Sequence, residues 1–148
     1  MKRFASAAFL ISATSLALAQ SPGLTPDQII AARQAGMDLT QGNVNAMKVA
    51  RQTGADPKPF EMGAAGIVAW AKAYPALFPE DTKTGHDTKA KPEVWSDNAG
   101  FQTAASNLVS AAEKLLAAAK ADDKAAFATE FDAVGETCGG CHRKYKNR

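Results

Sequence analysis

The feature that most constrains this chain is a five-residue run near its end, Cys138-Gly139-Gly140-Cys141-His142. C-x-x-C-H is the spacing of covalent c-type haem attachment. The two thiols form thioether bonds to the haem vinyl groups, and the histidine that follows is placed to bind the iron. These are the only two cysteines in the chain. Competing readings of the same residues explain less. A thioredoxin-like C-x-x-C belongs in a βαβ setting, and no β-rich alternation flanks it here. A closed zinc site takes about four ligands, whereas the chain offers two Cys and two His, with His86 far away in a loop-like stretch. A disulfide across two residues leaves His142 without a role.

The N-terminus points the same way. Lys2 and Arg3 form a positive region, Ala5 to Leu18 an apolar one, and Ala17-Leu18-Ala19 a small-x-small cleavage site. This is the pattern of a secretory signal, too short and wrongly flanked to span a membrane. Residues 1–19 are therefore expected to be removed, leaving residues 20–148 as one exported domain of periplasmic type. No second stretch is apolar and long enough to cross a membrane. In an oxidising compartment free C-x-x-C cysteines would pair. Haem attachment consumes both thiols.

Charge speaks against a nucleic-acid role. The full chain has 17 Lys+Arg and 15 Asp+Glu; the signal removes two bases and no acid, so the mature chain would carry 15 of each. That leaves no broad basic footprint. The basic tail, Arg143, Lys144, Lys146 and Arg148, is local. It suits a helix C-terminus, and equally contact with haem carboxylates or a redox partner.

Four segments carry helical spacing. Thr25-Pro26-Asp27-Gln28 reads as a helix start. Ile30, Met37 and Val44 then share a face as far as about Arg51, with Arg33 and Met47 close to that stripe and Leu39 beside it. A second helix from about Pro59 carries Phe60, Ala64, Ile67, Val68, Ala71 and Tyr74. Residues 75–92 form a long connection expected to help enclose the haem. The third helix begins around Trp95 and runs through Phe101, Leu108 and Leu115, until Asp122 and Asp123 break it. In the fourth, Phe127, Phe131, Val134, Cys138, Cys141 and Tyr145 repeat at four-three spacing. Cys138 and His142 therefore face one cavity. With strand signals absent, the expected fold is all-α, an antiparallel four-helix bundle with its covalently bound haem near the C-terminus. Met47 and Met62 read as packing and His86 as a solvent-exposed loop residue.

The residues now resemble a known family, the class II c-type cytochromes, comprising cytochrome c-prime and cytochrome c-556. The resemblance rests on Arg33-Gln34-x-x-Met37, on Leu77-Phe78-Pro79, Lys91-Pro92-Glu93-Val94-Trp95 and Phe101, and on Cys138 to Lys146. It implies one covalent haem c, with thioethers on Cys138 and Cys141 and the proximal ligand on His142. It also implies Arg33 and Gln34 near the haem edge, Lys146 on the proximal side, and Met37 on the distal side. Family members form dimers through their first two helices, so a homodimer is one implied state.

Two functions follow from Met37. If it binds iron, as the equivalent methionine does in cytochrome c-556, thioether ligation raises the potential and the protein is a one-electron carrier serving redox partner proteins. If it only packs, as in cytochrome c-prime, an apolar distal pocket admits small gases such as nitric oxide or carbon monoxide. The expectation is the electron carrier, with His142 and Met37 on the iron. A haem enzyme is not expected, since peroxidase-type chemistry needs distal polarity and only Arg33 supplies any.

Overall fold

The computed structural model describes residues 23–148; the expected signal segment 1–19 and the expected cleavage after Ala19 lie outside the described residues. The first helix, α1, spans Pro26–Thr53. It starts where expected because Thr25 and Gln28 form a capping box, each side chain accepting from the other's backbone N–H. It ends at Thr53, close to the expected end near Arg51, because Gly54, at φ 67°, takes the left-handed cap and donates to the Ala50 carbonyl. Glycine adopts that conformation without a Cβ penalty.

A single 3-10 turn, Lys58–Phe60, leads into α2, Glu61–Ala73. Pro75 then tightens the chain into a second such turn, Tyr74–Leu77, since proline cannot continue the helical ladder. A third turn, Glu80–Thr82, lies in the long connection. The expected third helix divides in two. Residues Glu93–Ser96 form a single turn, α3, and Asp97 leaves helical geometry at φ −119°, ψ 51°. The Asp97 carboxylate caps α4, Asn98–Lys120, by accepting from the Gly100 N–H. Asp122, at φ 55°, reverses the chain, and Asp123 caps α5, Lys124–Tyr145, through the Ala126 N–H. Both acids act as the sequence suggested.

The four long helices make the antiparallel bundle, and among the described residues the only β pairing is an isolated bridge between Ala90 and Lys146. No described helix is long and apolar enough to cross a membrane. The core falls into two clusters. Met47, Ile67, Leu115, Phe127 and Val134 lie in one, with Cys138 packed against it. Phe78, Val94, Phe101 and Tyr145 make the other, with Cys141 packed against it. Helix α4 packs closely against both α2 and α5, while α1 approaches α5 over a shorter stretch. The gap between the two clusters opens there.

Met47 is fully buried, as expected, but Met62 is 85 % exposed and packs nothing. The α2 face that meets the core runs through Ala64, Ile67, Val68 and Ala71, which turns Met62 outward. His86 is exposed, as expected, in a left-handed turn at Gly85–Asp87.

Candidate functional site

A cavity of about 350 Å³ lies between α1, α2, α4 and α5, within the ~300–1,000 Å³ range of cofactor and ligand pockets. All six residues expected to form a site, Arg33, Gln34, Met37, Cys138, Cys141 and His142, line it. On α5 the stripe Phe127, Phe131 and Val134 is buried. Cys138 continues that stripe, and Cys141 and His142 follow at i+3 and i+4, which puts thiols and imidazole on one wall. On α1, Arg33 and Met37 are one turn apart and form part of another wall. Val44, Ala104, Ala105 and Leu108 make much of the remaining lining apolar.

Electrostatics separate this C-x-x-C from a redox pair. Burial pushes both the Cys138 and the Cys141 thiols up, so they stay protonated at neutral pH. A reactive C-x-x-C instead has a depressed thiol. The described residues hold no cluster of His, Cys, Asp and Glu suited to a metal ion alone. Burial, and then the charge of Lys146, push the His142 imidazole down, which favours the neutral form that ligates iron.

Arg33 is not the solvated helix charge its residue type suggests. It is 3 % exposed. Its Nη1 donates to the Leu77 carbonyl (3.0 Å) and Thr82 Oγ1 (2.9 Å), and its Nη2 donates to the Thr82 carbonyl (3.1 Å) and Thr88 Oγ1 (2.6 Å). The guanidinium also sits 4.2 Å from the Phe78 ring centroid. Gln34 reaches the same connection, its Nε2 donating to the His86 carbonyl at 3.4 Å. The long segment thus encloses the cavity as expected, bringing Phe78, Thr88, Lys89 and Ala90 to its lining.

Three features were not legible in the sequence. The Trp70 indole lies against α1 at Gly36, and its buried Nε1–H has no protein acceptor. Tyr74, packed 5.2 Å from Trp70 and 4.9 Å from Phe78 between ring centroids, lines the cavity, and burial pushes its hydroxyl up to about 12. The turn that carries His142 is held from outside. Tyr145 donates to Asp97 Oδ2 at 2.8 Å, and Lys144 pairs with the same oxygen at 2.5 Å. Lys91 donates to the carbonyls of Tyr145 and Arg143. Partners 48 and 52 residues apart leave no local pattern. The one available signal for Trp70 was its large ring on a helix face otherwise rich in alanine and glycine.

The donors fit a haem. Two protonated thiols and a neutral imidazole share one wall of a largely apolar gap, and a buried indole N–H awaits an acceptor no protein group supplies. When bound, the haem supplies one-electron chemistry at its iron. Fold and site together define a class: four-helix proteins that attach a c-type haem to their last helix. A family model described as Cytochrome C' matches residues 28–146. Cytochrome c' of Rubrivivax gelatinosus is 38 % identical over 128 residues, covering 83 % of this chain and 97 % of that protein. Cytochrome c-556 of Agrobacterium tumefaciens, strain II Chrys, is 36 % identical over 76 residues, 51 % of this chain and 60 % of that one. The solved nitric oxide complex of a cytochrome c prime variant from Alcaligenes xylosoxidans superposes with TM-score 0.76 at 26 % identity, covering 84 % of this chain and 98 % of that one. The chain belongs to the cytochrome c' family, the class II c-type cytochromes, and carries one covalent c-type haem.

Proposed function

We propose that the protein is exported by its N-terminal signal to the periplasm and works there as a one-electron carrier. Cys138 and Cys141 bear the thioethers, His142 binds the iron, and Met37 takes the sixth position. The observation that carries this reading is that Met37 on α1 and His142 on α5 line one cavity from different helices. Two ligands held by separate helices of a packed bundle move little when the iron changes oxidation state. The redox partners are proteins that reach the haem edge between the 83–91 segment and the end of α5.

A second reading has its own support. The solved relative with nitric oxide bound shares the fold, and Met37 is half-buried in the cavity lining. If Met37 only packs, the iron binds small gases on the α1 side. Optical spectra of oxidised and reduced protein, with and without carbon monoxide, separate the two. The carrier gives a low-spin spectrum indifferent to carbon monoxide, and Met37→Ala converts it to high-spin with the fold intact. A high-spin wild-type spectrum that shifts with carbon monoxide would refute the carrier.

We also propose a homodimer. Leu39 and Val49 on one side of α1 and Met62 on α2 stand 75 %, 59 % and 85 % exposed. Large apolar side chains left bare on neighbouring helices favour a self-complementary contact. Sedimentation of the haem protein should give a dimer that Leu39→Glu disperses. A concentration-independent monomer would refute it.

A further inference from the structure

His142 lies where a helix is least able to hold a ligand. Three residues after it α5 ends, at Tyr145, and terminal turns open most readily. Gly139 and Gly140 precede it in the same helix, and glycine weakens a helix interior relative to alanine. The turn is pinned instead from outside, by residues 91–100. The Lys91 N–H donates to the Tyr145 carbonyl at 2.9 Å and its Nζ to the Arg143 carbonyl at 3.0 Å. These are two of the acceptors that a helix end leaves unpaired. The Asp97 carboxylate supplies the rest of the hold. It caps α4 by accepting from the Gly100 N–H at 3.3 Å, accepts from the Tyr145 hydroxyl at 2.8 Å, and pairs with Lys144 Nζ at 2.5 Å. Gly100 makes this meeting possible: a Cβ there would overlap Asp97 Oδ2 and lie 2.6 Å from Tyr145 Oη. The Tyr145 ring, 5 % exposed, packs edge-on against Phe101 at 5.3 Å between centroids. One carboxylate thus ties the start of α4 to the end of α5.

We propose that Asp97 is a positioning residue for the iron ligand His142: through Tyr145 and Lys144 it holds the last turn of α5 in helical geometry and so keeps the imidazole on the iron. Asp97 is not part of the cavity lining, so it acts through the backbone of α5. Cys138 and Cys141 attach the haem to the preceding turn, whereas His142 must reach the iron from a turn that can fray. Loosening that turn weakens the bond from imidazole to iron while the thioethers keep the haem in place. The inference rests on His142 as the iron ligand, and it holds whether or not Met37 is the other.

The test uses the haem-loaded Met37→Ala protein, whose sixth position is open under either reading of the distal side. Resonance Raman of the ferrous form reads the iron–histidine stretching band, and hydrogen exchange reads the amides of residues 143–145. Asp97→Ala and Tyr145→Phe should each shift the band to lower frequency and speed that exchange by about ten-fold, the equivalent of one such hydrogen bond. Tyr145→Phe keeps the ring and the α4 cap, so it decides the matter if Asp97→Ala fails to fold. Gly100→Ala, which adds a methyl group and removes no partner, should lower the band in the same way. Ile67→Val, a buried core change outside the cavity lining, should lower global stability and leave the band in place. A band unmoved in Asp97→Ala and Tyr145→Phe, or moved as far by Ile67→Val, would overturn the proposal while leaving His142 as ligand. A Met37→Ala protein with no iron–histidine band would refute the ligand assignment itself, and the proposal with it.

Discussion

Gly36 sits where α1 crosses Trp70, and its replacement by alanine sets two known effects against each other. In a helix interior Gly→Ala ordinarily stabilises by about 0.8–1.0 kcal/mol. Here the added Cβ would fall inside the indole ring, within contact of Cη2 and Cζ2 and 2.7 Å from Cζ3, the most distant of the three. Overpacking of this kind costs about 1–3 kcal/mol. Three ring carbons are involved, and Tyr74 backs the indole at 5.2 Å, so the upper end applies. The net expectation for Gly36→Ala is a loss of about 2 kcal/mol, which for a domain of this size lowers Tm by roughly 5–10 °C. Gly42, on the same helix with nothing within 4 Å of its would-be Cβ, is the control. Gly42→Ala should gain about 0.8–1.0 kcal/mol when measured dilute enough to keep the protein monomeric. Guanidinium denaturation of the haem-loaded proteins reads both. The displaced indole borders the cavity, so Gly36→Ala should also shift the Soret band while Gly42→Ala leaves it alone. A Gly36→Ala protein as stable as wild type, with the wild-type absorption spectrum, would refute the close approach of Trp70 to α1.

Three further outcomes are expected. The Cys138→Ala, Cys141→Ala double variant should release its haem into acidified acetone; haem that stays with the protein would refute attachment at these thiols. Trp70→Phe removes a buried donor that no protein group accepts, and an unpaired buried donor costs about 1–3 kcal/mol. The haem-free variant should therefore lose less stability than the haem-loaded one, and equal losses in paired melts would refute a role for the N–H toward the haem. The bonds from Lys144 and then Tyr145 hold the Asp97 carboxyl below the usual carboxylate range. A depressed folded value means this stabilisation is fully present above the unfolded pKa, about 4, and is lost as pH falls through the folded value. Hydrogen exchange in the last turn of α5 should rise in acid in the wild type and stay flat in Asp97→Asn; parallel acid profiles would refute the Asp97 anchor.

The long helices were legible because their causes are local. Thr25 and Gln28 cap α1 within four residues, Asp123 caps α5 within three, and apolar spacing set which face each helix buries. The site was legible to the same extent and for the same reason. Cys138, Cys141 and His142 lie within little more than one turn of a single helix, so their common wall follows from 3.6 residues per turn. Where a boundary differed, a single residue decided it: Asp97 cut the third helix to cap α4.

What the sequence by itself determined about this protein is thus its helices, the faces they bury, and the chemistry of its last turn. Tertiary structure alone decided what meets across the cavity. Arg33 is placed by the sequence beside the apolar stripe of α1 and, by resemblance, near the haem edge, but the acceptors that bury it lie 44 to 55 residues away. Met62 reads as packing, yet the turn of α2 leaves it in solvent. Trp70 and Gly36, or Tyr145 and Asp97, come together only once four helices share one core. Periodicity specifies which side of a helix is apolar. It carries no information on which partner will face that side, because that depends on the packing of whole helices rather than on the spacing within one.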